Sequence, residues 1–228
     1  KLIVHLYMPS LQATTMLNNS PRDNDITQIK REVRARIIAQ RDALAPALRS
    51  RKSSAICANL ADAAKQALPT HVSRQPIVAV YSPMGSEADL GEFIAALYDA
   101  RARVAFPAML PDLQDGQRMQ MRIVSYKDYL DGSAPFIAHP VRPFSPVDNA
   151  ENGRYPAVAP HELDAIVVPL VGFDANGMRL GYGGGCYDRY LPKLQPRCFV
   201  VGVAFSEQQV PRVPVDAFDL PLPRIISA

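Results

Sequence analysis

Apolar positions along this chain follow two rhythms. From Asp25 onward, Ile26, Ile29, Val33 and Ile37 recur at steps of three and four, which predicts a helix with one apolar stripe. Lys30, Arg31, Arg34 and Arg41 are read as lying off that stripe. A second, alanine-rich helix is predicted from about Pro46 to Leu68, with proline in its first turn and Pro69 as its stop. The rhythm then shortens. Ile77 to Tyr81 is a β-branched-rich run ending at Ser82-Pro83, which reads as a buried strand. Leu90 to Ala102 returns to helical spacing, with Phe93, Ile94, Leu97 and Tyr98 on one side. Arg103 to Phe106 is the next short strand, with Pro107 as its end. Met119 to Val124 alternates weakly after an Asp115-Gly116 turn and is predicted as an antiparallel or edge strand.

Six of the 21 prolines fall between Pro135 and Pro160, so that stretch is predicted to be an irregular loop. Ala165 to Val171 and Cys198 to Phe205 are two further buried strands, separated by a short helix from Asp188 to Leu194. The tail after Val210 is proline-rich and extended. Short apolar strands alternating with helices predict an α/β fold: an open, mostly parallel sheet with helices on both faces, a Rossmann-like three-layer sandwich. The first eight residues are apolar enough to suggest a signal peptide, but Pro9 and the polar run after Thr14 break the pattern. Residues 1–24 are therefore expected to be an extension or frayed segment, and 25–228 one domain.

Composition narrows the function classes. The net charge is +3 over 228 residues, which permits an anionic small-molecule ligand without calling for nucleic acid. The helix around Lys30 to Arg41 is basic but carries no interleaved aromatics, so an RNA-binding surface is disfavoured. No apolar run reaches the length of a membrane span. Cys57, Cys186 and Cys198 are odd in number and include no C-x-x-C pair, which argues against a disulfide framework or a zinc site and for a reducing compartment.

The densest chemical signal is Arg179-Leu-Gly-Tyr-Gly-Gly-Gly-Cys-Tyr-Asp188. Four of the 12 glycines lie within positions 181–185, between a predicted strand and a predicted helix. Glycines there allow positive φ and close approach to a ligand, and free N–H groups beside a helix start make an anion cradle. The stretch matches neither the P-loop nor the dinucleotide spacing. On the residues alone, it is either a phosphate cradle or a tight strand-to-helix turn.

This stretch resembles the 5-formyltetrahydrofolate cyclo-ligase family, also called 5,10-methenyltetrahydrofolate synthetases. The family carries Arg-Leu-Gly-x-Gly-x-Gly-Tyr-Tyr-Asp, and here Cys186 stands where the first tyrosine is usual. Similar pieces occur in order: Lys30-x-x-x-Arg34, Tyr81-x-x-x-Gly-x-Glu87-x-Asp89, Asp164 to Asp174, and Gly202-Val-Ala-Phe-x-x-Gln208. The segment Phe136-Ile-Ala-His139-Pro is only loosely similar, and the terminal Ile226-Ser227-Ala228 differs from the Thr-Glu common in bacterial relatives.

The resemblance implies ATP-dependent cyclisation of 5-formyltetrahydrofolate to 5,10-methenyltetrahydrofolate through a phosphorylated formyl group, with Mg2+ required. It implies ATP contacts at Lys30, Arg34, Arg179, Gly181, Gly183, Gly184, Gly185 and Tyr187, with Arg179 and Tyr187 nearest the chemistry. It places the folate at Glu87, Tyr182, Gly183, Gly184, Gly185 and Cys186, and magnesium at Asp188 and Asp219. Each role has a plainer counterpart. Lys30 and Arg34 fit a solvated basic helix face, Glu87 an acid at a helix start, Asp188 an N-cap, and Asp219 a turn acid before Pro221. Expected partners are reduced folate and ATP, with no nucleic acid and no membrane, in a cytoplasmic monomer. The alternative is a divergent folate or nucleotide binder without cyclo-ligase activity, a possibility raised by Cys186.

Overall fold

A computed structural model describes residues 21–68, 74–112, 116–145, 153–216 and 219–228. Residues 1–20, Pro69 and Asp115 lie outside the described residues. The chain begins with helices α1 (Pro21–Asp42) and α2 (Pro46–Ala67). Strand β1 (Ile77–Ala79), helix α3 (Gly91–Asp99), strands β2 (Arg103–Asp112) and β3 (Gly116–Val124), and short helices α4 (Tyr126–Leu130) and α5 (Pro135–Ala138) follow. Next come β4 (Ala157–Val158), β5 (Ala165–Pro169), β6 (Gly172–Phe173), β7 (Arg179–Leu180), helix α6 (Cys186–Tyr190), β8 (Phe199–Ala204) and β9 (Ile225–Ser227). Helix α1 thus starts at Pro21, four residues before the predicted Asp25.

Seven strands form one sheet in the order β4-β3-β2-β1-β5-β8-β9. The pairs β1/β2, β1/β5, β5/β8 and β8/β9 are parallel, while β2/β3 and β3/β4 are antiparallel. The predicted mostly parallel α/β sheet is therefore present. Because β-strand side chains alternate, each strand feeds two cores. Val78, Val104, Phe106, Val167, Val201 and Val203 face one layer with Ile56, Leu60, Phe93, Ile94 and Leu97 of α2 and α3. Ile77, Ala79, Ala105, Ile166 and Val168 face the other, thinner layer, where Tyr190 and Leu191 supply the cover. Helix α1 packs beyond the strand ends, with Ile37 buried against Val171, Leu180, Val210 and Val213.

Several predicted boundaries move. Strand β2 runs through Pro107 and Pro111 instead of ending at Phe106. Arg103 donates its N–H to Pro76 and Ala105 accepts from Val80, so odd positions of β2 turn their backbone toward β1, away from β3. Strand β1 ends at Ala79, so both prolines fall where no β1 partner awaits an N–H. Strand β3 is antiparallel as predicted but is not an edge, because β4 covers it. The proline-rich stretch contains α5 and β4. The tail ends in β9, paired with β8.

The topology fixes where a crevice opens. From the central β1 the chain goes outward to β2 on one side, then returns to β5 on the other. Loops leaving the carboxyl ends of β1 and β5 therefore diverge and leave a crevice, the usual ligand position in open α/β sheets. The Tyr81–Asp89 loop follows β1. The β6/β7 hairpin and the glycine loop follow β5. The hairpin is pinned by buried Asp174, whose carboxylate accepts from Asn176 N (2.9 Å), Met178 N (3.2 Å) and Val213 N (3.0 Å). Gln208 also braces it, donating to Leu170 O (2.8 Å) and Val171 O (2.9 Å).

Candidate active site

A cleft of about 620 Å³ opens at this crevice. Every residue singled out from the sequence lines it: Lys30, Arg34, Glu87, Arg179, Gly181 to Asp188, and Asp219. Positions 30, 81–87, 179–188 and 219 are thus brought together from four parts of the chain.

One end is cationic. Lys30 and Arg34 lie one turn apart on α1 and both face the cleft. Lys30 Nζ is 2.7 Å from Asp216 Oδ2 and is also ion-paired with Asp219. Burial pulls the Lys30 ammonium down, but hydrogen bonds and attraction from the two carboxylates outweigh it and leave its pKa raised. Arg34 Nε donates to Gly181 O at 2.6 Å, which ties the helix to the start of the glycine loop. Gly183 has φ +102°, and a Cβ there would sit 3.5 Å from the Arg34 guanidinium. Gly185, at φ +62°, is the N-cap of α6. The helix therefore begins at Cys186, and Asp188 sits in its first turn instead of capping it. Two positive-φ glycines in three residues leave the loop backbone open to the cleft.

Arg179 is nearly buried. It donates to Leu220 O at 2.6 Å and is ion-paired with Asp188. This clamp joins β7, α6 and the final extended segment. Arg189, which also lines the cleft, donates from Nη2 to Gly184 O at 2.9 Å.

The other end pairs apolar walls with one buried acid. Met84, Pro107, Met109, Met119, Pro140 and Val141 line it, and Met109 and Met119 are cross-strand partners in the β2/β3 hairpin. Glu87 is 7 % exposed, so it is no solvated acid at a helix start; α3 begins four residues later. Its Oε2 accepts from Met84 N at 2.7 Å, while Oε1 has no partner at full hydrogen-bonding geometry. Burial pushes the Glu87 carboxyl up, only partly offset by Met84 N–H, the Tyr182 hydroxyl and Arg41. Burial and then the Glu87 charge push the Tyr182 phenol up to about 12 and raise Tyr81 and Tyr187 as well. All three phenols therefore stay protonated at neutral pH, and the Tyr81 hydroxyl donates to Ala88 O at 2.9 Å.

Cys186 is half-buried, with Sγ 3.7 Å from Gly184 O. Among the described residues no three His, Cys, Asp or Glu side chains cluster as a metal site. Asp219 is held by Lys30 and accepts from Asp216 N at 2.8 Å, and Asp188 is matched to Arg179. The described residues thus form no closed cage for a divalent ion. The open side of Asp188 fits a magnesium ion that arrives with phosphate oxygens and needs only one or two carboxylates.

Sequence reasoning missed the methionine pair, Asp216, Arg189 and above all Arg41. Arg41 is 3 % exposed, donating from Nε to Ser86 Oγ (2.8 Å) and from Nη2 to the Tyr182 hydroxyl (2.9 Å). A spacing signal existed: positions 33, 37 and 41 step by four, so Arg41 continues the apolar stripe.

Comparison with known proteins places the chain in a family. The 5-formyltetrahydrofolate cyclo-ligase of Haemophilus influenzae is 49% identical over 63 residues, covering 27% of this chain and 34% of that protein. The chain's match therefore spans about a third of the length of such curated relatives. The mitochondrial 5-formyltetrahydrofolate cyclo-ligase of Arabidopsis thaliana is 27% identical over 193 residues, covering 83% of this chain and 66% of that one. The structure of the 5,10-methenyltetrahydrofolate synthetase of Aquifex aeolicus superposes with a TM-score of 0.61 at 26% identity, covering 87% of this chain and 89% of that one. The sequence model of the 5-formyltetrahydrofolate cyclo-ligase family matches residues 26–228, and this chain belongs to that family.

Proposed function

We propose that this chain catalyses ATP-dependent cyclisation of 5-formyltetrahydrofolate to 5,10-methenyltetrahydrofolate, with MgATP as phosphoryl donor. The observation that carries the reading is one cleft with two chemically distinct ends. Lys30, Arg34 and the open glycine backbone suit a triphosphate. The methionine-lined end with the buried Glu87 suits a flat, N–H-bearing heterocycle.

The formyl oxygen is a poor leaving group. Transfer of the γ-phosphoryl group to it forms an O–P bond and releases ADP. Nitrogen 10 then attacks the activated carbon, loses its proton, and phosphate departs. Such a sequence needs positioning and charge neutralisation more than a covalent residue. In this reading Lys30 and Arg34 hold the triphosphate and the loop N–H groups meet its oxygens. Arg179 keeps Asp188 oriented toward the incoming magnesium. Glu87 accepts from the pterin N–H groups, and Tyr187 and Cys186 border the reacting formyl group. Glu87 lies after β1 and the glycine loop after β5, so the two substrates meet across the strand-order reversal. Three free cysteines, two of them buried, suit a reducing compartment such as the cytoplasm.

The test is absorbance in the methenyltetrahydrofolate band after mixing protein, 5-formyltetrahydrofolate and MgATP, with an ATP-omitted control. A rise only with ATP is expected. No rise, with folate or ATP still bound by calorimetry, would replace the reading with a divergent binder in which Cys186 marks the loss of turnover.

A further inference from the structure

The cyclo-ligase reading uses Glu87 and Tyr182 but leaves unexplained what orients them. Both sit on loops, Tyr182 is substantially exposed, and one oxygen of Glu87 is buried without a partner at full geometry. A loop tyrosine and a half-satisfied buried acid do not hold a fixed geometry by themselves.

Arg41 is the group that reaches both loops: it bonds the Tyr182 hydroxyl and Ser86, the residue before Glu87, and acts on Glu87 itself through its charge. It belongs to the last turn of α1, where a cation is favoured by the helix dipole. Its guanidinium reaches sideways instead of into solvent. Nε donates to Ser86 Oγ, the residue before Glu87, at 2.8 Å. Ser86 Oγ in turn donates to Asp42, so the loop is held to the helix end by two successive hydrogen bonds. Nη2 donates to the Tyr182 hydroxyl at 2.9 Å, and the guanidinium carbon lies 5.9 Å from the Tyr182 ring centroid. Because the hydroxyl accepts from Arg41, its own proton points elsewhere. Glu87 is the carboxylate that faces it closely enough to bias its titration. Arg41 therefore links the loop after β1 to the glycine loop that follows β5 and β7.

We propose that Arg41 is the positioning residue of the folate end of this cleft: it sets Tyr182 and Glu87 in their recognition geometry without touching the nucleotide. The inference rests on the cyclo-ligase reading. The charged and titratable groups facing Glu87 are Arg41 from α1, Tyr81 from the loop after β1, Tyr182 from the glycine loop and Tyr187 from the first turn of α6. Only Arg41 among them is cationic, and its charge lowers the Glu87 carboxyl against the upward push of burial.

The experiment compares the wild type with Arg41→Met, Arg41→Lys and Tyr182→Phe. KM for folate, KM for ATP and the pH profile of kcat/KM are measured for each. Arg41→Met removes the donors while keeping an apolar stem. Its folate KM is expected to rise at least about tenfold, the loss typical of one charge-assisted hydrogen bond, with ATP KM within about twofold. Its acidic limb is expected to move to higher pH, because Glu87 loses the cation that favours its ionised form. Arg41→Lys is expected to recover part of the folate KM. Tyr182→Phe, at a position open to solvent, is expected to move the acidic limb the same way. It also decides the matter if Arg41→Met fails to fold. Equal rises in both KM values, or an acidic limb unmoved in every folded variant, would overturn the proposal. If the wild type does not cyclise the folate, the proposed function falls by itself. Calorimetric affinity for 5-formyltetrahydrofolate then replaces KM, and equal affinity of wild type and Arg41→Met, or of Tyr182→Phe in its place, would overturn the role of Arg41.

Discussion

Lys30 on the first helix is ion-paired with Asp219, 189 residues later in the chain, and the pair stands at the mouth of the cationic end of the cleft. A second carboxylate, Asp216, completes the arrangement at 2.7 Å. The lysine is thus held in place by two carboxylates, and in the proposed reading a triphosphate would exchange one set of anionic partners for another.

The first prediction follows from that exchange. Lys30→Met keeps the packing of the lysine stem and removes its charge. Loss of one charge-assisted contact of about 1.5–3 kcal/mol corresponds to a rise in ATP KM of roughly 10- to 100-fold. Folate KM is expected to stay within about twofold, since Glu87 and the methionine wall are untouched. Steady-state kinetics with each substrate varied in turn checks this. A folate KM that rises as much as the ATP KM would mean that Lys30 acts on the whole cleft.

Glu87 gives a prediction about stability as well as binding. Its carboxyl is raised by burial, so the folded state holds the proton more tightly than the unfolded chain. Above the unfolded carboxyl pKa the unfolded state binds fewer protons, so stability falls as pH rises through the folded pKa. Ionised Glu87 therefore costs stability at neutral pH and nothing at pH values below both pKa values. Glu87→Gln keeps the acceptor for Met84 N and removes the charge. It should raise the melting temperature at pH 7–8 by about 2–4 °C, equivalent to roughly 1 kcal/mol for a chain of this size, and by less at pH 4. Folate binding should weaken in the same variant. A melting temperature unchanged at both pH values would show that the ionised carboxylate is not penalised.

The glycine loop separates backbone strain from lost contacts. Gly183 is in the left-handed half of conformational space, with the Arg34 guanidinium 3.5 Å from the position of a Cβ. Alanine there costs about 1–2 kcal/mol of backbone strain, and the methyl group presses on the side chain that anchors the loop to α1. Gly183→Ala should therefore raise ATP KM by roughly 5- to 30-fold, because the strained loop relaxes away from its cradle shape. Isothermal titration with a non-hydrolysable ATP analogue measures this directly. Wild-type affinity would show that the loop backbone does not contact the nucleotide.

Much of this architecture was legible in the sequence, for identifiable reasons. Val78, Val104, Val167 and Val201 belong to short β-branched runs, buried on both faces, which have few alternatives to a central parallel strand. The glycine loop stood out because positive φ leaves a compositional mark. Pro107 misled because proline was read as a stop, whereas its missing N–H falls on the side that β1 has already left. Arg41 was passed over for a different reason, although its spacing continues the apolar stripe. Polarity patterns count any cation as surface, and its partners Ser86 and Tyr182, 45 and 141 residues away, are what hold it in the interior. The methionine wall was equally silent, since Met109 and Met119 meet only once the hairpin register is known.

The cysteines supply the last prediction. Cys57 and Cys198 are buried, and burial pushes both thiols up, Cys198 to about 12. Thiolate, the reactive form, is therefore scarce at both, and access is blocked as well. Cys186 is half-buried and faces the cleft beside Gly184 and Tyr187. A native-state titration with a disulfide reagent such as dithionitrobenzoate at pH 8 should show one fast thiol per chain, with the other two reacting only on unfolding. Cys186→Ser should abolish the fast phase and leave the slow ones. Saturating 5-formyltetrahydrofolate should slow it at least about tenfold if the folate covers the loop, since bound ligand at 100 times its Kd leaves about one site in a hundred open. MgATP alone should slow it less, because the cationic end lies toward Lys30 and Arg34. A fast phase indifferent to both substrates would place Cys186 outside the occupied part of the cleft, and the substitution of cysteine for the family's usual tyrosine would then carry no consequence for binding.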